Sequence, residues 1–196
     1  MTDPSLNSAS VAIACQQVLQ QDASVFSIQW MDLPAHLAVG LTPERLLQRY
    51  LEHIRRFTGT LVSPVQLGKV VEFRLWRSRL SLLQFDVGEA DATALSLRIR
   101  GGLLVQPAFC RQGELVFSCE PKDDLVRIGL RLSDYCPLLL GSRAPSVVRK
   151  WFYRLTQAAI HKIVTIRFLI RLYRERAGRN ACCRVARVNV RPGEPL

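Results

Sequence analysis

"SVVRKWFYRLTQAAIHKIVTIRFLIRLYRER" fills residues 146–176 and reads as one long helix with eight Lys/Arg against a single acid. On a wheel of about 100° per residue, Trp151, Phe152, Leu155, Ala159, Ile163, Ile166, Leu169, Ile170 and Tyr173 form one wide apolar arc. That arc is expected to pack on a sheet. Arg149, Lys150, Arg154, Gln157, His161, Arg167 and Arg171 fall opposite it. A second apolar row, Ile160, Val164, Phe168 and Leu172, runs through the polar side at four-residue spacing. A helix apolar nearly all round is either buried or meets a second partner. The row is therefore either covered by the N-terminal segment or residues 22–40, or available for partner contact.

The elements before this helix explain what it would lie on. Over residues 60–135 the hydrophobic period is two. "KVVEFRLW" alternates Val71, Phe73 and Leu75 with Glu72 and Arg74, and "ALSLRIRGG" sets Leu95, Leu97 and Ile99 against Ser96, Arg98 and Arg100. "RLSLLQFDVG", "LLVQPAF", "ELVFSCEP" and "LVRIGLRLSDY" continue the pattern. Six or seven short strands with short connections imply an antiparallel meander, because parallel pairing needs a crossover of about a dozen residues or more. "VFSIQW" predicts a further strand, and Gly101–Gly102 marks a strand bend or bulge.

Upstream, "LTPERLLQRYLEHIRRFTG" is a well-signalled helix. Thr42 suits the N-cap, Pro43 the first turn and Glu44 the positive dipole end. Leu46, Leu47, Tyr50, Leu51, Ile54 and Phe57 make its apolar stripe, and Gly59 ends it. Residues 10–21 fit a short helix, with Val11, Ala14, Cys15, Val18 and Leu19 on one face. The expected fold is α+β: an antiparallel sheet of about six or seven strands on a long C-terminal helix, with one or two N-terminal helices. Residues 1–9 read as a flexible N-terminus, 10–177 as one domain and 178–196 as a flexible basic tail.

This order of elements, with "GELVFSCEP…LVRIGLRL…" leading into the terminal helix, resembles the START-like or polyketide-cyclase-like helix-grip domains over about residues 25–176. The resemblance implies an apolar ligand cavity between sheet and helix. It brings no catalytic residue, because no family motif is present to match.

Charge points to partners. The chain of 196 residues has net charge +11, and residues 145–196 alone hold 12 basic and 2 acidic side chains. Such a block serves an anionic membrane surface, an acidic protein or nucleic acid. Arg149, Lys150, Arg154, Arg167, Arg171 and Arg174 are the candidate anion-binding residues, and Ile160, Val164, Phe168 and Leu172 the candidate partner contacts. Base stacking needs exposed rings, and the wheel places Trp151, Phe152 and Tyr173 toward the core. No apolar run approaches the roughly 20 residues that span a bilayer. The first Lys or Arg is Arg45, so no basic segment precedes the apolar "VAIACQQVL", and a cytoplasmic location is expected, with attachment to a membrane surface open.

Chemistry is sparse. Cys15, Cys110, Cys119, Cys136, Cys182 and Cys183 form no CxxC pair, and His36, His53 and His161 lie far from them, so neither zinc nor another cofactor is expected. No GxSxG, P-loop, HExxH or dinucleotide fingerprint is present. Asp134 and Tyr135 sit at a strand end, where a turn role competes with proton transfer, and His161 has no sequence partner. The first functional reading is a non-enzymatic domain that binds an apolar ligand or partner protein and meets an anionic surface through its basic helix. A nucleic-acid-associated protein is the alternative, and a cyclase-type enzyme the third.

Overall fold

The computed structural model describes residues 10–76, 78–106, 113–141 and 146–196, apart from the Phe152 side chain. Expectations that fall on residues 1–9, Pro145 and Cys110 lie outside the described residues. The chain begins with two strands, β1 (Val11–Leu19) and β2 (Val25–Pro34), then two helices, α1 (Ala35–Ala38) and α2 (Pro43–Phe57). A run of strands follows: β3 (Val62–Leu67), β4 (Val70–Leu75), β5 (Ser81–Ala90), β6 (Ala94–Gly101), β7 (Glu114–Lys122) and β8 (Leu125–Tyr135). The C-terminal helix consists of α3 (Val147–Tyr153), a π turn (Arg154–Ala158) and α4 (Ala159–Ala177). Strands β9 (Cys183–Arg187) and β10 (Glu194–Pro195) end the chain.

One sheet runs in the order β10-β1-β2-β8-β7-β6-β5-β4-β3, with β9 also on β1. Strands β3 to β8 form the expected antiparallel meander, and β2 pairs with β8 to carry the sheet on to β1. The period-two reading holds in register. On the inner face Leu97 sits opposite Leu115, Phe117 opposite Leu130, Cys119 opposite Ile128, and Phe85 opposite Ile99. The opposite face is polar and tied across strands. Arg127 Nε and Nη2 donate to the Asp32 carboxylate at 2.8 and 2.9 Å, and the Arg127 guanidinium lies 5.1 Å from the Trp30 ring. The pair holds the Asp32 carboxyl below its usual range, chiefly through the Arg127 hydrogen bonds.

Helix α2 follows its sequence signals. Thr42 Oγ1 accepts from the Arg45 N–H at 3.3 Å, and Leu46, Leu47, Tyr50, Leu51 and Ile54 are buried, while Phe57 at the end of the stripe is exposed. Tyr50 meets Phe117 of β7 and Phe168 of α4 edge-on, so α2, α4 and the sheet share one core. The glycine pair marks a bulge as expected. Gln84 pairs with Gly101 but Phe85 with Ile99, leaving one extra residue on β6. Gly102 has φ +119°, and a Cβ there would lie 2.5 Å from the Leu82 carbonyl oxygen.

Three expectations are corrected. The stretch 10–21 holds strand β1 (Val11–Leu19) rather than a helix. A short apolar run does not separate the two by periodicity alone, and here pairing on both edges, to β2 and to β9 and β10, decides for the strand. Of "LLVQPAF", only Val105 makes a bridge, to Pro137; residues 103–104 are a turn, and 107–109 lie outside the described residues. The C-terminal stretch read as a loose tail is built onto β1. Residues 183–187 pair with it in parallel, and Gln16 Oε1 accepts from the Val190 and Arg191 N–H groups at 2.8 and 2.9 Å.

Candidate ligand cavity

The side chains of the C-terminal helix point differently from the wheel. Trp151 is 62% exposed and Leu155 57%, and Ile160 and Ile163 are exposed as well. Val164, Phe168 and Leu172 are buried, Phe168 at 2% exposure. The second apolar row therefore belongs to the core, except Ile160, and a partner cannot reach Val164, Phe168 or Leu172 in the folded domain. Leu169 and Tyr173 are buried as expected. The π turn explains the N-terminal half. It inserts one residue, so Tyr153 and Ala158, five apart, both face inward and are buried. Gln17 of β1 donates from Nε2 to the Ala158 carbonyl at 3.2 Å, tying this turn to the sheet.

A cavity of about 250 Å³ lies between this turn and the sheet. Its walls are apolar: Phe73 of β4, Phe85 of β5, Ile99 of β6, Leu115 of β7, Leu132 of β8 and Ile54 of α2 are representative. Exposed Ile160 stands at its rim. Polar groups reach it from the helix at one per turn: Tyr153, Gln157 and His161. Tyr135, at the end of β8, donates its hydroxyl to the Leu104 carbonyl at 2.8 Å and accepts from Gln157 Nε2. Gln157 Oε1 is buried and has no hydrogen-bond partner among the described residues. An unmet buried acceptor costs about 1–3 kcal/mol.

Burial keeps the site neutral. It lowers the His161 pKa to about 4 and pushes the Tyr153 phenol well above its ordinary value. Asp134 and Tyr135 face different surroundings. Tyr135 faces the cavity wall, whereas Asp134, at φ +52°, has the Arg191 guanidinium 3.9 Å away. Gln157 and His161, assigned by the wheel to the solvent side, are thus cavity residues. The signal for them was the four-residue spacing Tyr153, Gln157, His161.

The basic residues divide into two flanks around the exposed apolar stripe. Lys150 and Arg154 lie toward β10, at 2.9 and 3.9 Å from Glu194. Arg171 pairs with Glu175 at 2.7 Å, Glu175 also pairs with Arg49 of α2, and Arg167 lies over Phe57 at 5.5 Å. Arg174 donates to the Ala181 carbonyl at 3.3 Å. Arg149 is set apart near Gly141, where a Cβ would collide with its guanidinium. The acids nearest these cations, Glu175 and Glu194, come from the same C-terminal quarter.

No family model and no curated protein matches the chain. Among solved structures, the solution structure of the Aha1 dimer from Colwellia psychrerythraea is similar at 12% identity and a TM-score of 0.41, over 76% of this chain and 94% of that one. The crystal structure of CalU16 from Micromonospora echinospora is similar at 10% identity and a TM-score of 0.39, over 86% of this chain and 94% of that one. Likeness this weak carries no argument about family, ligand or partner.

Proposed function

We propose that this chain is a binding domain for a small apolar molecule held between the sheet and the C-terminal helix. The observation that carries the reading is the cavity itself, about 250 Å³ with a mostly apolar wall. Protein interiors leave few voids larger than a water molecule. A bound apolar molecule gains van der Waals contact with these walls and takes their apolar surface out of water. An engineered apolar void of about 150 Å³ is enough to take up benzene. Native mass spectrometry of the purified protein should find a retained small molecule, or saturable uptake of 1-aminoanthracene. An Ile99→Trp change, which fills the cavity, should abolish either. No adduct and no saturable uptake would sink the reading.

A second reading concerns the surface. Val147, Val148, Trp151, Leu155 and Ile163 are exposed along the helix, with Lys150, Arg154 and Lys162 toward the C-terminal stretch and Arg167 and Arg171 toward α2. A tryptophan and aliphatic side chains between cations suit the interface of an anionic lipid surface. Nucleic acid would use the cations and a stacking ring but leave the aliphatic residues without a role. No helix among the described residues is long and apolar enough to cross a membrane. We therefore propose that the helix docks on anionic lipid with Trp151 and Leu155 inserted. The partner contacts expected at Val164, Phe168 and Leu172 move to this outer stripe.

A further inference from the structure

We propose that the cavity is selective for a neutral molecule with an apolar body and one hydroxyl or N–H group, and that Gln157 recognises that group. The proposal rests on the ligand-binding reading above and deepens it. Among the described residues that line the wall there is no Asp, Glu, Lys or Arg. A ligand charge brought there would lose its water and gain no counter-charge, which disfavours carboxylates and amines alike.

The hydrogen bonds at the helix wall then decide donor from acceptor. The Tyr135 hydroxyl spends its proton on the Leu104 carbonyl, so toward Gln157 it accepts. That requirement turns the amide nitrogen of Gln157 to Tyr135 and leaves Oε1 as a buried acceptor without a partner among the described residues. An amide oxygen cannot donate, so only a donor satisfies it. The side-chain amide torsion of glutamine is broad, and a small rocking brings Oε1 to a ligand without breaking the bond to Tyr135. One turn before and after, Tyr153 and His161 line the same wall. A hydroxyl fits this set fully. It donates to Gln157 Oε1 while its oxygen accepts from the Tyr153 phenol. An ether accepts only and leaves Oε1 unmet. The burial that keeps His161 and Tyr153 uncharged supports the same preference.

The test uses four probes with one bicyclic body: naphthalene, 2-naphthol, 2-methoxynaphthalene and 2-naphthoate, titrated into the whole chain at neutral pH. The expected result is 2-naphthol binding about tenfold or more tighter than 2-methoxynaphthalene, as for a hydrogen bond made against one left unmade, with 2-naphthoate weakest. Gln157→Leu should bring 2-naphthol to the level of 2-methoxynaphthalene and leave naphthalene unchanged. Tyr153→Phe, nearly the same shape and thus safe for folding, should weaken 2-naphthol and 2-methoxynaphthalene alike, because the oxygen of each accepts from the phenol, and leave naphthalene unchanged. Equal affinity of 2-naphthol and 2-methoxynaphthalene, or a preference that survives Gln157→Leu, overturns the role of Gln157 while leaving the cavity as a binding site. Failure of all four probes to bind overturns the ligand-binding reading together with this one.

Discussion

His161 shows how the surroundings of one side chain become a pH dependence. On a helix rich in cations it reads as a solvent-facing imidazole near its ordinary pKa, but in the fold it meets the cavity wall and burial lowers that value from 6.5 to about 4. The unfolded chain takes up the proton as pH falls through about 6.5, while the folded chain resists until about 4. The neutral imidazole therefore contributes stability that is fully present above pH 6.5 and is lost as pH falls toward 4. At about 1.36 kcal/mol per pKa unit, the loss is at most roughly 3 kcal/mol, less where water enters the cavity. His53 is shifted in the same direction, by burial first and then by Arg171, so part of the slope belongs to it. Urea midpoints measured across this window should fall with pH, and His161→Gln should flatten part of that fall. An identical slope in the variant would place His161 in water. Nothing in the sequence marks His161 as a cavity residue, because its nearest charged neighbours in the chain are solvent-exposed types and the strands that form the rest of the cavity wall are distant in sequence.

At the scale of the element, α2 was legible and the C-terminal helix was legible only as a helix. Helix α2 alternates apolar and charged residues cleanly, so its wheel has one solution. The C-terminal helix is apolar on nearly every side, and its inner face includes buried Thr165 and Ala158 and the half-buried cavity residue His161, which do not score as core. The π turn then adds a residue and rotates everything before it by about 100° relative to α4. The expectation that Trp151, Leu155 and Ile163 carry the core fails for these two reasons. Energetics follow the corrected face. Phe168→Ala should destabilise by about 3–5 kcal/mol and Leu172→Ala by about 2–5 kcal/mol. Leu155→Ala, with its side chain in solvent, should stay within about 0.5 kcal/mol. Chemical denaturation of the three variants checks the set, and a large loss at Leu155 would mean that the stripe is covered.

For the whole molecule, charge is the dominant asymmetry: 12 of the 27 Lys/Arg fall in residues 145–196, with only 2 acids. Much of it surrounds the exposed stripe, and the surface ion pairs to Glu175 and Glu194 contribute little. In the proposed docking, anionic headgroups would supply about 1 kcal/mol per basic residue near the surface, and Trp151 would add insertion of an amphipathic ring. Co-sedimentation with phosphatidylserine-containing vesicles should exceed that with phosphatidylcholine alone and should fall with salt. Trp151→Ser should weaken it, and Phe168→Ser, if the variant folds, should not act through direct contact. Binding to duplex nucleic acid with no preference for anionic vesicles would favour the nucleic-acid alternative instead.

Local chemistry by itself determined the parts whose signals are local. The period-two strands of the meander, the Thr42 cap and stripe of α2, the bulge at Gly101–Gly102, the existence of the long C-terminal helix and its excess of cations all follow from neighbouring residues. The tertiary structure decided the rest. Pairing with β2, β9 and β10 makes residues 11–19 a strand, and Gln16 holds the C-terminal stretch to it. The π turn and the contacts with the sheet choose which side of the long helix is inside. That choice puts Tyr153, Gln157 and His161 in the cavity and Trp151 in solvent. The physical reason is that an apolar face buries against whatever surface is nearest, and which surface that is depends on contacts between residues more than a hundred positions apart in the chain.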